Sequence, residues 1–146
     1  MVNAEFNEQF RRRTQHYAVR TFKFIESIPF NTATKIMTYQ FGKSGTSVGA
    51  NFRAFCRGRS KNEKYSKICI TVEEADECIY WLELFGDTNY GNKQELKWLS
   101  TEALEILKIC SKKKYALSPC PITLLTSLTL LTSHFSNSLT LSLLCL

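Results

Sequence analysis

Four stretches of helical periodicity follow one another in this chain with almost no sequence between them, and few folds satisfy that constraint. From about Glu5 to Ile28 the apolar residues Phe10, Tyr17, Ala18, Phe24, Ile25 and Ile28 recur at the spacing of one helix face. Pro29 stops the pattern, because it has no amide proton to donate and its ring clashes with the preceding turn. Asn31 or Thr32 can cap a second helix over about 32–58, with Met37, Phe41, Val48, Phe52 and Phe55 on its apolar face. Ser60-Lys61-Asn62-Glu63 has the form of a capping box, in which the hydroxyl and the carboxylate take up two orphan amides. It opens a third helix, 61–87, on Tyr65, Ile68, Val72, Ala75, Ile79 and Leu82. The turn Asp87-Thr88-Asn89-Tyr90-Gly91 ends that helix, and a second box, Asn92-Lys93-Gln94-Glu95, opens a fourth over 92–113. Its seam of Leu96, Leu99, Ala103, Ile106 and Cys110 alternates three and four, as in a coiled coil. Connections this short make consecutive helices antiparallel neighbours. The expected fold is all-α, an up-down-up-down four-helix bundle over residues 1–115.

The remaining 31 residues, 116–146, are unlike the bundle: they carry no charge and repeat themselves. Thr123-Leu124-Leu125-Thr126-Ser127 returns as Thr129-Leu130-Leu131-Thr132-Ser133, which marks an uncharged Leu/Ser/Thr-rich, low-complexity tail. About half of Ile122 to Leu146 is Ser, Thr, Asn or His, whereas a spanning helix needs about 20 predominantly apolar residues. No membrane association is expected. The N-terminus is polar and carries an Arg triplet, so it does not resemble a signal peptide. Cys56, Cys69, Cys78 and Cys110 sit singly on helical patterns, which fits free thiols in the cytoplasm.

Chemistry is hard to find in this sequence. Gly42-Lys43-Ser44 suggests a phosphate loop, but Met37 stands where the upstream glycine is required and no strand precedes it. Gly45 and Gly49 are better read as small residues that let a neighbouring helix come close. The acidic run Glu73-Glu74-Ala75-Asp76-Glu77 has a structural explanation as well. Hairpin register places Ser47 level with Glu73 and brings Arg13 to the same level. Arg13, Ser47, Asn51, Glu73, Glu74 and Glu77 are therefore expected to form an internal polar layer, since buried charges must be paired. With His16 in the bundle and His134 in the tail, no metal, cofactor or nucleophile–base set can be assembled, and an enzyme is not expected.

The basic hinge between the second and third helices is the most suggestive surface. Arg53, Arg57, Arg59, Lys61, Lys64 and Lys67 stand against Glu63 alone, a charge of +5 over fifteen residues, with Phe55 and Tyr65 interleaved. Clustered cations beside aromatic rings suit a phosphate backbone with stacking bases. The plain alternative is a solvated loop end.

The stretches SGTSVGANFRAFCRGRS and EEADECIYWLELF, with FRRRTQHYAVRTFKFIESIP before them, resemble the bacterial four helix bundle proteins, also called 23S rRNA intervening-sequence proteins. The resemblance covers roughly residues 6 to 113 and implies a left-handed antiparallel four-helix bundle that assembles as a homopentamer. Phe55-Cys56 departs from the small residues usual there, and the tail has no counterpart. A distant relative, the accessory protein of diversity-generating retroelements, is a basic pentamer associated with nucleic acid and a reverse transcriptase. The expectation that follows is a non-enzymatic oligomeric module binding RNA or a nucleoprotein through the hinge. The alternative is a protein–protein scaffold without nucleic-acid binding.

Overall fold

The computed structural model describes residues 2–118, and the tail from 119 onward lies outside the described residues. Four helices follow in order: α1 (Val2–Glu26), α2 (Thr32–Arg57), α3 (Lys61–Asp87) and α4 (Lys93–Leu117). The starts of α2, α3 and α4 are each fixed by a side chain that takes up orphan amides. Asn31 caps α2 in a complete box, accepting from the Thr34 amide at 2.9 Å while Thr34 Oγ1 accepts from the Asn31 amide at 2.8 Å. Ser60 accepts from the Glu63 amide at 3.1 Å, but the Glu63 carboxylate reaches one residue further back, to the Arg59 amide at 2.9 Å. Asn92 accepts from the amides of Gln94 and Glu95. The Glu95 carboxylate does not complete that box, because it pairs with Arg20 on α1.

The helix ends depart from the periodicity by two residues or more in three places, the first being the start of α1 at Val2, ahead of the expected Glu5. α1 stops at Glu26, short of the expected 28, where the amides of Ser27 and Ile28 drop back to i−3 carbonyls in a tightened turn. α4 runs on to Leu117, past 113, since no breaker intervenes and Leu117 packs against the core. The turn after α3 needs its glycine: Gly91 has φ +85, and a Cβ there would stand 2.5 Å from the Phe24 ring.

Neighbouring helices run antiparallel. Gly42, Gly45 and Gly49 of α2 face Ile25, Thr21 and Thr14 of α1 in reverse order. Arg13 and Arg20 of α1 likewise meet Glu102 and Glu95 of α4. α1 touches α2 and α4, α3 touches α2 and α4, and the diagonal pairs do not approach.

Inside, every helix presents residues alternating three and four apart. On α1 these are Phe10, Thr14, Tyr17, Thr21 and Phe24, and on α3 Ile68, Thr71, Ala75, Cys78, Leu82 and Phe85. The apolar periodicity places Ala18, Ile25 and Ile28 on the α1 stripe, but these are half-buried, and the seam is completed by two fully buried threonines. Val72 and Ile79 of α3 give way to Thr71 and Cys78 in the same manner. Thr14 and Thr71 can sit there because their hydroxyls bond their own helices, Thr14 Oγ1 donating to the Arg11 carbonyl and Thr71 Oγ1 to that of Lys67, whereas Thr21 Oγ1 has no such partner. Phe24, Phe41 and Phe85 pack edge-to-face at one end of the core, and Phe10 meets Phe52 at 4.6 Å at the other. The waist between them is small and polar, with Thr14, Thr21, Ser44, Gly45 and Cys78 around Tyr17.

Gly45 is the tightest point of this waist: a Cβ there would stand 2.9 Å from both Oγ1 and Cγ2 of the fully buried Thr21. Gly45→Ala is predicted to destabilise the bundle by about 1–3 kcal/mol, the usual cost of overpacking. Adding Thr21→Ala should recover much of that loss in denaturant titrations. Losses that simply add would show that the two residues do not meet.

Candidate nucleic-acid interface

The internal polar layer is arranged differently from the expected one. Arg13 does not meet the acidic run on α3, which lies diagonally across the bundle; it forms a two-pronged pair with Glu102 on adjacent α4, with Nη2 at 2.9 Å from Oε2. Arg20 pairs with Glu95 in the same way, and its guanidinium lies 3.5 Å from the Trp98 ring centroid. Each arginine is held in its charged form by its carboxylate, and the Arg20 hydrogen bond keeps the Glu95 carboxyl below its ordinary range. These pairs fasten α1 to α4.

The residues assigned to the layer on α2 and α3 take separate roles. Asn51 donates to the Ser47 carbonyl at 3.0 Å, Glu77 accepts from the Trp81 indole at 3.0 Å, and Glu73 is exposed. Glu74 lies beside Ser47, close to the level that the register gives, but its Oε2 is buried without a hydrogen-bond partner. Desolvation, with Glu77 adding repulsion, pushes its carboxyl above the ordinary range.

The α2–α3 hinge concentrates positive charge. Arg53, Arg57, Arg59 and Lys61 are exposed, Lys64 and Lys67 half-buried, and none of the six makes an ion pair among the described residues. Glu63, their one acidic neighbour in sequence, is occupied by the Arg59 amide. The up-down topology then brings in residues distant in sequence. The start of α1 and the end of α4 lie at this same end: Lys113 reaches Asn7 at 3.4 Å and sits 4.5 Å from the Phe6 ring and 5.9 Å from that of Phe55. Lys112 and Lys114 flank it. The half of the bundle comprising residues 2–14, 49–72 and 102–118 holds thirteen of the nineteen Lys and Arg but five of the thirteen Asp and Glu, a net +8. The opposite half carries −2. The surplus charge of the chain is therefore gathered at one end, with Phe6 and Tyr115 exposed among it.

Elsewhere the candidates are plain. Cys56, Cys69, Cys78 and Cys110 are free thiols, and burial pushes Cys78 and Cys110 up to about 12, so neither is a thiolate near neutrality. Among the described residues no three His, Cys, Asp or Glu converge, and no helix is long and apolar enough to cross a membrane. Gly42, Lys43 and Ser44 lie in the middle of α2, as the packing reading requires. Among the large apolar residues outside the periodic stripes, Trp81, Leu84 and Trp98 pack against the core. Val19 and Phe22 stay about half exposed, and Phe22 and Ile25 line a shallow groove with Tyr39 across α1 and α2.

Over residues 7–112 the sequence matches the family described as 23S rRNA-intervening sequence protein. The fold is similar to a crystal structure of a protein with unknown function from the S23 ribosomal protein family of Bacteroides thetaiotaomicron, at TM-score 0.66 and 27% identity, covering 75% of this chain and 97% of that one. None of the curated proteins matches the sequence.

Two predictions test the polar groups. Glu102→Ala should cost about 1 kcal/mol, the upper end for exposed pairs, because the pair is two-pronged but Arg13 remains partly solvated. Glu74 has a folded pKa above its unfolded value, so its contribution is most favourable below about pH 4.3 and is lost as pH rises. Glu74→Gln should therefore melt above the parent at pH 7, with the gap closing near pH 4. A gap independent of pH would show Glu74 to be solvated.

Proposed function

The chain belongs to the 23S rRNA-intervening sequence protein family, and from that premise we propose that it is a binding module, not an enzyme, which holds RNA or an RNA-containing complex against the basic end of its bundle. The observation that carries this reading is the convergence of Arg53, Arg57, Arg59, Lys61, Lys64 and Lys67 with Lys112, Lys113 and Lys114, in a half-bundle of net charge +8. Cations held close together without acidic partners repel one another. That repulsion is relieved when a polyanion takes the place of small counterions, and the released ions drive binding. A solvated loop end would account for the hinge alone. It gives no reason for the α4 lysines to gather at the same end, beside the exposed rings of Phe6 and Tyr115.

The same reading includes self-association. Val19, Phe22, Ile36 and Tyr39 leave an apolar face open on α1 and α2, and such a face is commonly covered by a partner. Copies joined through it, as a homopentamer in line with the sequence resemblance, would repeat the basic end around a ring. Linking weak sites in this way raises apparent affinity even though each site is unchanged.

The test is the triple variant Arg57→Ala, Arg59→Ala, Lys61→Ala, titrated against single-stranded RNA of mixed sequence at several salt concentrations. Affinity should fall by about tenfold or more and the salt slope should flatten by about 2, because three cations no longer neutralise phosphates. Helicity and oligomer size should not change, because all three side chains are exposed. Unchanged binding with an unchanged slope would leave the protein–protein scaffold as the better reading.

A further inference from the structure

The basic end continues into a groove between α1 and α2. Arg53 stands on one wall and Arg11 on the other, the volume is about 290 Å³, and Ala18, Gly49 and Ala50, with nothing larger than a methyl group, line it together with Gln15 and Thr46. That volume is close to the lower end for ligand pockets, about 300–1,000 Å³, and is far more than a phosphate needs. Arg11 spends one nitrogen on Glu8, at 2.9 Å, but its Nε–H is buried and donates to no group of the protein. Arg53 is exposed and makes no ion pair among the described residues. Two guanidiniums thus flank a patch of small side chains.

Helix packing does not account for this patch. At Gly45 a Cβ would collide with Thr21, whereas at Gly49 it would stand 3.5 Å from the Thr14 carbonyl oxygen, an ordinary contact. Packing demands a glycine at 45 and merely tolerates one at 49. What the missing side chain at 49 leaves is room.

Building on the RNA reading above, we propose that this groove holds one unstacked nucleotide of single-stranded RNA. Its base lies on the Ala18–Gly49–Ala50 patch beside a guanidinium plane, its phosphate sits between Arg11 and Arg53, and the Gln15 amide is at hand for the base edge. Guanidiniums suit both tasks, as two-pronged phosphate donors and as planes on which bases stack. A duplex cannot use the patch, because both faces of each paired base are already stacked. It would engage the hinge phosphates alone. The groove therefore makes the basic end selective for unpaired RNA.

The experiment titrates the full chain, by fluorescence anisotropy, with a single-stranded RNA and a blunt duplex of the same length. The parent, Ala50→Leu and the hinge triple variant are compared. Ala50 is exposed and lies outside the core, so leucine fills the groove without repacking the bundle. The parent should prefer the single strand. Ala50→Leu should lose about tenfold on the single strand, in the range of one base stack, with duplex binding, Tm and oligomer size unchanged. The inference is overturned if the parent binds both RNAs equally or if Ala50→Leu leaves single-strand binding intact. It is also overturned if Ala50→Leu alters oligomer size, which would make the groove a seam between copies. A triple variant that weakens both RNAs while Ala50→Leu weakens neither removes this inference and keeps the RNA reading. A parent that binds no RNA removes both.

Discussion

The close approach of α1 to α2 across Gly42, Gly45 and Gly49 is the contact on which the rest of the structure depends. With a side chain at Gly45 the helices could not come near enough for Thr14, Tyr17 and Thr21 to be fully buried. Those residues fill the waist between two aromatic clusters, so helix spacing and core composition are coupled. The same closeness costs the waist some polar satisfaction. The Tyr17 hydroxyl and Thr21 Oγ1 are buried and make no hydrogen bond of good geometry, although Thr21 and Cys78 lie close to the phenol, and burial pushes the Tyr17 phenol well above its ordinary range. A tightly set seam that tolerates unsatisfied hydroxyls must be held by the packing around it.

A second constraint is the distribution of charge. On α1 the cations facing α4 are neutralised by Glu102 and Glu95, one pair in each half of the bundle. Arg11, Arg12 and Lys108 of the basic half pair with glutamates of their own helices, but the six hinge cations and Lys112, Lys113 and Lys114 make no ion pair among the described residues. Charge thus serves cohesion along the α1–α4 seam and is left available on the α2–α3 hinge and the last turns of α4. It is on that hinge and those last turns that a basic composition bears on function.

Local signals made the helices legible. Ser60, Asn92 and Asn31 each cap a helix within a few residues of where the pattern begins, and α3 runs from Lys61 to Asp87 as its periodicity indicates. What local signals could not supply was position around the bundle. Hairpin register put Arg13 and Glu73 at one level but left open that α1 and α3 are diagonal, so the partner Glu102 was missed. Extending the register to α4 would have found it, and with it Lys112, Lys113 and Lys114 at the basic end. Thr14, Thr21, Thr71 and Cys78 escaped because a scan for apolar residues discounts hydroxyls and thiols, which a helix interior accepts when they bond back to their own turn or pack beside small neighbours. The groove at Gly49 carries no sequence signal separable from that of Gly45.

The central claim is that nucleic acid meets the basic end, and photocrosslinking of bound RNA followed by peptide identification tests it most directly. Aromatic residues occur at both ends, so the position of the adducts decides the matter. The account predicts adducts on peptides containing Phe6, Tyr65 or Tyr115, beside the hinge and the α4 lysines. Adducts confined to Phe30, Tyr80 or Trp81, which lie in the half of net charge −2, would contradict it.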